Sequence, residues 1–167
     1  ELKKDLSDSK KDKKIEAIKR IIGLLNVGKD VSSLFFGVVN CLAVDDLEIH
    51  KLVYLYIIHY SKDKPSDSLM AINSLVKDAT NKSNPLVRAL AIRTIGCLRV
   101  KDLCNYLMDP LKKALEDSDA YVRKNAVMCV PKVYEIDAQL VESHNLIQIM
   151  KNILEKDKNS VVLANTV

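Results

Sequence analysis

Tryptophan is absent from this 167-residue chain, phenylalanine occurs twice, and glycine and proline contribute four residues each. So few turn formers exclude an all-β chain that reverses direction about every ten residues. Apolar residues still make up 48%. A core of Leu, Ile, Val and Ala with few aromatics suits stacked helices better than a β-sandwich. Cys41, Cys97, Cys104 and Cys129 form no CxxC pair, and each lies in an apolar helical stretch. Free cysteine in such a setting behaves as a small buried hydrophobe. A lysine-rich chain with no disulfide framework points to the cytosol. No apolar run approaches the ~20 residues of a membrane span, and no signal peptide is visible.

Chemistry is equally sparse. No GxSxG occurs, and no cysteine has a histidine partner at a useful spacing. His50 has Asp46 one turn before it, while His59 and His144 stand apart with no third metal ligand. The stretch VGKDVSS at 27–33 lacks the flanking glycine and the GK[ST] ending of a phosphate loop and reads as a helix–helix turn. No catalytic residue, metal or cofactor is nominated, and the expectation is a protein that is not an enzyme.

What is present is a repeat. LEIHKLVYL begins at Leu47, NPLVRALAI at Asn84, DAYVRKNAV at Asp119 and SVVLANTV at Ser160. Aligned on Ile49, Val87, Val122 and Val162, the spacings are 38, 35 and 40 residues. Self-similarity at that period marks helix pairs that cannot bury their apolar faces alone and so stack. The expected fold is all-α, an armadillo/HEAT-like right-handed superhelical solenoid forming one body over 1–167. A basic first helix occupies about 9–26 and the repeats about 30–167. Val87, Ala91, Val122 and Ala126 recur at matching positions and are expected to be buried.

Read along the chain, residues 1–8 are the tail of a preceding helix. In the helix at 9–26, Ile15, Ile18, Ile21, Ile22 and Leu25 share an arc of about 120°. Residues 27–30 turn, and Asp30 caps a helix over 31–43. Further helices are expected at 46–62, 65–79, 84–98, 101–116, 120–134, 138–143 and 145–156, with another from 159 onward. Asn84-Pro85 and Asp119 are start signals, because Asn and Asp cap and proline fits a first turn. Pro131 interrupts AVMCVPKVYEI, so a kink or an early end is expected there. The chain has no initiator Met and VVLANTV breaks off within a repeat helix, which reads as a fragment of something longer.

Between residues 10 and 20, Lys10, Lys11, Lys13, Lys14, Lys19 and Arg20 face only Asp12 and Glu16, an excess equal to the chain's whole net charge of +4. Lys10, Lys13 and Arg20 fall in a stripe about 80° wide beside the apolar arc. Such a stripe is either a solvated face or a meeting point with an anionic surface. Modest net charge, with no aromatics among those lysines, argues against nucleic acid.

VGKDVSSLF at 27–35, LVYLYIIHYSK at 52–62, AINSLVKDA at 71–79, NPLVRALAIRTIGCLRV at 84–100 and DAYVRKNAV at 119–127 resemble the N-terminal trunk of the beta-adaptins. The likeness runs over nearly the whole chain. It departs at Phe36-Gly37, at Pro131 and in the loop ATNKSN. The resemblance implies a non-enzymatic scaffold of a heterotetrameric clathrin adaptor in vesicle-mediated transport. It implies association with a second large chain, a medium chain and a small chain. The location it implies is cytoplasmic and peripheral, on trans-Golgi or plasma-membrane coated pits and vesicles. It also implies a phosphoinositide site at Lys10, Lys11, Lys13 and Arg20, and a contact with an Arf-family GTPase through Leu69 and Ile72. Those two apolar residues are alternatively part of the helix packing. Clathrin would bind through regions outside this chain. The rival reading is an unrelated armadillo/HEAT scaffold of the nuclear-transport kind, whose grooves often use Trp and Asn ladders.

Overall fold

A computed structural model describes residues 1–61 and 63–167, with Pro65 described by its backbone alone. The final residue of the helix expected at 46–62 therefore lies outside the described residues. All regular structure among the described residues is helical, with no strand. The chain divides into two compact units, Glu1–Ala71 and Ile72–Val167. The boundary falls inside one helix, Pro65–Ala79.

The first unit contains α1 (Leu2–Leu6), α2 (Lys11–Asn26), α3 (Phe35–Asn40), α4 (Leu47–Tyr60) and the first part of α5 (Pro65–Ala79). Ala17, Ile18 and Ile21 of α2 are buried with Ile49, Val53, Tyr56 and Ile57 of α4. Ile15, Ile22 and Leu25 are only partly covered, so the buried face is narrower than the sequence arc. At Gly28 the backbone reaches φ +77°, a left-handed geometry that glycine adopts without steric penalty, and α2 ends there.

The helix expected over 31–43 is instead a 3-10 turn at Ser32–Leu34, the short α3, and a second 3-10 turn at Cys41–Ala43. Asp30 does accept from the Ser32 amide at 2.8 Å. Two tyrosines of α4 then hold the backbone at Val31. The Tyr56 hydroxyl donates to the Val31 carbonyl at 2.7 Å, and the Val31 amide donates to the Tyr60 hydroxyl at 3.0 Å. Burial pushes the Tyr56 phenol upward, so it stays protonated and able to donate. Farther on, a side chain at Gly37 would stand 3.1 Å from Leu6 Cδ1. Tertiary ties thus override local helix propensity along this stretch.

The second unit contains the rest of α5, then α6 (Pro85–Leu98), α7 (Lys101–Leu115), α8 (Ala120–Tyr134), α9 (Ala138–Ser143), α10 (Leu146–Lys156) and α11 (Ser160–Thr166). Leu103, Cys104, Leu107, Met108, Leu111 and Leu115 form the buried stripe of α7. Its close packing is clearest where α6 meets α8. A Cβ at Gly96 would lie 2.8 Å from Cys129 Sγ and 3.4 Å from Cys129 Cα, so only glycine permits that approach. Pro131 neither ends α8 nor starts a new turn. The Glu135 amide donates to the Pro131 carbonyl at 3.0 Å, and the helix continues to Tyr134. Pro110 lies inside α7 in the same way and was not singled out from sequence.

The repeat has a physical basis at each occurrence. Ile49, Val87, Val122 and Val162 are all buried, as are Ala91 and Ala126. Three residues before each anchor stands Asp46, Asn84, Asp119 or Asn159, and each caps its helix through its side chain. Asp46 Oδ1, for example, accepts from the Glu48 and Ile49 amides at 2.9 and 3.0 Å. Such a cap is worth about 1 kcal/mol relative to alanine.

In the second unit the repeat also carries a clamp. Arg88 follows its anchor and makes a two-pronged pair with Asp117, at 2.7 and 2.8 Å, while Nη1 donates to the Asn81 carbonyl at 2.9 Å. Arg123 does the same to Asp157, at 2.7 and 3.0 Å, and donates to the Asp117 and Ser118 carbonyls. Each aspartate in turn accepts from the amide of the next capping residue, Asp119 or Asn159, at 2.8 and 2.9 Å. Planar guanidinium forks match carboxylates in this way, and lysine would not.

Candidate functional site

The basic stripe lies at the start of α2. Lys11, Lys13 and Arg20 are exposed on the helix, and Lys10 is exposed at its N-cap. The structure brings acids to this face that the local count of charge does not include. Lys11 pairs with Asp46, Lys13 with Asp8 at 2.8 Å, Lys19 with Glu48 at 2.7 Å, and Arg20 approaches Glu1 at 3.9 Å. The Asp46 carboxylate raises the Lys11 ammonium pKa, and Asp8 raises that of Lys13. Four carboxylates from outside residues 10–20 therefore sit among the six cations, offsetting the excess read from sequence. Lys14 turns inward and donates to the Leu6 carbonyl at 3.0 Å. The side chain of Lys10 joins none of these pairs. Asp8 stands close enough in sequence to have been suspected. Asp46 and Glu48 arrive through the packing of α2 on α4 and leave no local signal.

Leu69 and Ile72 do not form an exposed pair. Leu69 is 46% exposed, whereas Ile72 is buried at 4%. The apolar side chain that accompanies Leu69 at the surface is Met70, at 50%. Ile72 belongs to the buried residues, as its companions Ala71 and Leu75 do, because the inward face of α5 takes it one turn after Ser68.

The remaining polar candidates have structural occupations. Asp46 caps α4 and binds Lys11. His50 is buried, with Nε2 3.0 Å from the Val44 carbonyl. Among the described residues no group of three His, Cys, Asp or Glu is placed to hold a metal, and no helix is long and apolar enough to cross a membrane. Cys41, Cys104 and Cys129 are buried free thiols, and Cys97 is half-buried. Burial pushes the Cys129 thiol up to about 12, which removes its thiolate at neutral pH.

Helix pairs with buried repeat anchors and side-chain caps define an all-α protein of the armadillo type. Solved structures agree on the fold. A designed armadillo repeat protein in complex with the peptide (KR)4 superposes with a TM-score of 0.70 at 20% identity, over 99% of this chain and 77% of that one. A homology model of the full-length AP-3 complex in an intermediate open conformation gives 0.74 at 24% identity, over 99% and 27%. The family described as "Adaptin N terminal region" matches residues 1–167, and the chain belongs to it. It is 50% identical over 167 residues to AP-1 complex subunit beta-1 of Homo sapiens, covering 100% of this chain and 17% of that protein. AP-1 complex subunit beta of Dictyostelium discoideum is 47% identical over the same length, 18% of its own. AP-2 complex subunit beta of Schizosaccharomyces pombe is 38% identical over 162 residues, 97% of this chain and 24% of that one. The chain thus spans about a sixth to a quarter of these relatives. Family membership decides against the unrelated nuclear-transport solenoid.

Proposed function

We propose that this chain is part of the scaffold of a heterotetrameric clathrin adaptor complex in vesicle-mediated transport, and that it catalyses no reaction. The observation that carries this is identity of 50% along all 167 residues with an AP-1 beta subunit. In this reading the chain packs with a second large chain, a medium chain and a small chain. It works peripherally on the cytoplasmic side of trans-Golgi or plasma-membrane coated vesicles, and clathrin binds elsewhere. Co-expression with a second large chain and a small chain should yield a complex that survives size exclusion. Failure to co-purify with either chain would remove the scaffold reading.

Lys10, Lys11, Lys13 and Arg20 are proposed as a phosphoinositide contact. Their support is exposure and the weakness of the pairs they already make. Exposed ion pairs are weak because water and salt screen them, so a multiply charged headgroup can displace Asp8, Asp46 and Glu1. Each basic residue near an anionic membrane is worth about 1 kcal/mol, so this patch acts together with others. Changing all four to Glu should lower co-sedimentation of the assembled complex with phosphoinositide vesicles by about tenfold or more at physiological salt. Equal binding would leave these cations as a solvated, internally paired face.

Leu69 is proposed as the exposed part of an Arf-family GTPase contact, with Met70 beside it in place of Ile72. Leu69→Ser should weaken GTP-dependent recruitment while leaving the melting temperature within about a degree or two, since exposed substitutions usually change stability by less than about 0.5 kcal/mol. Unchanged recruitment would discard the contact.

A further inference from the structure

A second cluster of positive charge lies on α6 and α8. Arg93, Lys124 and Lys132 line a recess of about 320 Å³ with Tyr121, Asn125 and Met128, and no carboxylate lines it. Elsewhere in the same unit Arg88, Arg123 and Lys101 are each held by an aspartate. Among the described residues, Arg93, Lys124 and Lys132 have no carboxylate within ion-pair distance. Both lysines are half-buried and rest on soft partners. Lys124 Nζ stands 5.9 Å from the centre of the Tyr121 ring, and Lys132 Nζ 3.9 Å from Cys97 Sγ. Positive charge without counter-ions in a concave site focuses the field and concentrates anions there.

The spacing says what kind of anion fits. Lys124 and Lys132 are two helical turns apart, about 12 Å along α8, so they cannot close on one phosphate. An extended peptide advances about 3.3 Å per residue, so acidic side chains a few residues apart span that length. Met128, between the lysines, and Tyr121, about one turn before Lys124, are exposed and offer apolar surface to the stems of such side chains. Asn125 is fixed by its donation to the Tyr121 carbonyl at 2.8 Å, which keeps the floor of the recess in place.

We infer that this recess binds an extended acidic peptide segment of a partner protein, with Arg93, Lys124 and Lys132 reading successive carboxylates. The inference is independent of the phosphoinositide proposal, which uses other residues. It is tested by fluorescence anisotropy of the 167-residue chain with a fluorescein-labelled oligoglutamate peptide, against the same peptide in glutamine. The glutamate peptide should bind and the glutamine peptide should not, and added salt should weaken binding steeply. Lys124→Ala with Lys132→Ala should lower affinity about tenfold, and adding Arg93→Ala should remove measurable binding. Should the alanine variants melt early, Lys124→Gln with Lys132→Gln keeps the stems and gives the same readout. Absence of binding at low salt, equal binding by the triple variant, or equal binding of the glutamine peptide overturns the proposal. So does binding of phosphoinositide vesicles, but not oligoglutamate, through these three residues, which would assign the recess to lipid.

Discussion

Val122→Asp is expected to abolish the cooperative melting transition of the second unit. Val122 is completely buried, in the first turn of α8, with its amide donating to the Asp119 cap at 3.3 Å. An aspartate near a helix N-terminus gains about 0.3–1 kcal/mol from the helix dipole. Burying an unpaired carboxylate costs several kcal/mol, either as charge or through the work of protonating it. Set against total stabilities of about 5–15 kcal/mol, the second effect wins. Tyr121 is the control, one residue earlier and exposed, and Tyr121→Asp should shift the melting temperature little. Circular dichroism melts of both variants decide the matter. An unchanged midpoint for Val122→Asp would take that residue out of the core.

The second large effect is expected at the Arg123–Asp157 clamp. Both side chains are largely covered, at 19% and 6% exposure. Removing Asp157 alone leaves a guanidinium with little water around it and should cost about 2–4 kcal/mol. Replacing both, as Arg123→Met with Asp157→Leu, should recover most of that loss, because a packed apolar pair substitutes well for a covered ion pair. The pH dependence has a definite sign. The hydrogen bond from Arg123 holds the Asp157 carboxyl below its ordinary value, against the opposing effect of burial. At Asp117 burial pushes upward most strongly, but the bonds from Arg88 and the Asp119 amide leave the net direction downward. Carboxyls lowered in the folded state stabilise it fully above their unfolded pKa of about 3.9, and that stabilisation fades as pH falls through the folded value. The stability gap between wild type and Asp157→Ala should therefore be flat above about pH 5 and shrink below about pH 4. Urea melts across that range measure it. A gap that grows on acidification would mean that the pair does not stabilise the fold.

Much of this molecule was legible because its signals are local. A cap three residues before a buried anchor is a short-range device, so Asn84 and Asp119 marked the starts of α6 and α8, and the helix expected from 46 begins at Leu47. The segment 31–43 was misread because what breaks it is distant. Tyr56 and Tyr60, 25 and 29 residues away in sequence, hold the Val31 backbone. The charge on α2 was overcounted for the same reason, since Asp46 and Glu48 reach it only through packing. The side of α5 that takes Ile72 inward depends on its burial, not on the polar residues flanking it. Arg93, Lys124 and Lys132 were invisible as a group because they lie on two helices and share no sequence stretch.

The two arginine clamps span different lengths of chain, 29 residues from Arg88 to Asp117 and 34 from Arg123 to Asp157, yet close with the same 2.7 Å contact at Nε. The longer span includes α9 (Ala138–Ser143). Each clamp fixes where the next repeat begins and leaves the length of the intervening chain free. Loop-closure entropy changes slowly with length, so insertions between the arginine and its aspartate are cheap. The same insertion between an aspartate and the capping residue two positions later would unhook the cap from the clamp. Variation in length is therefore cheapest, in these two clamped repeats, between the arginine and its aspartate, and the ruler that keeps their helices in step is an arginine and two short side chains.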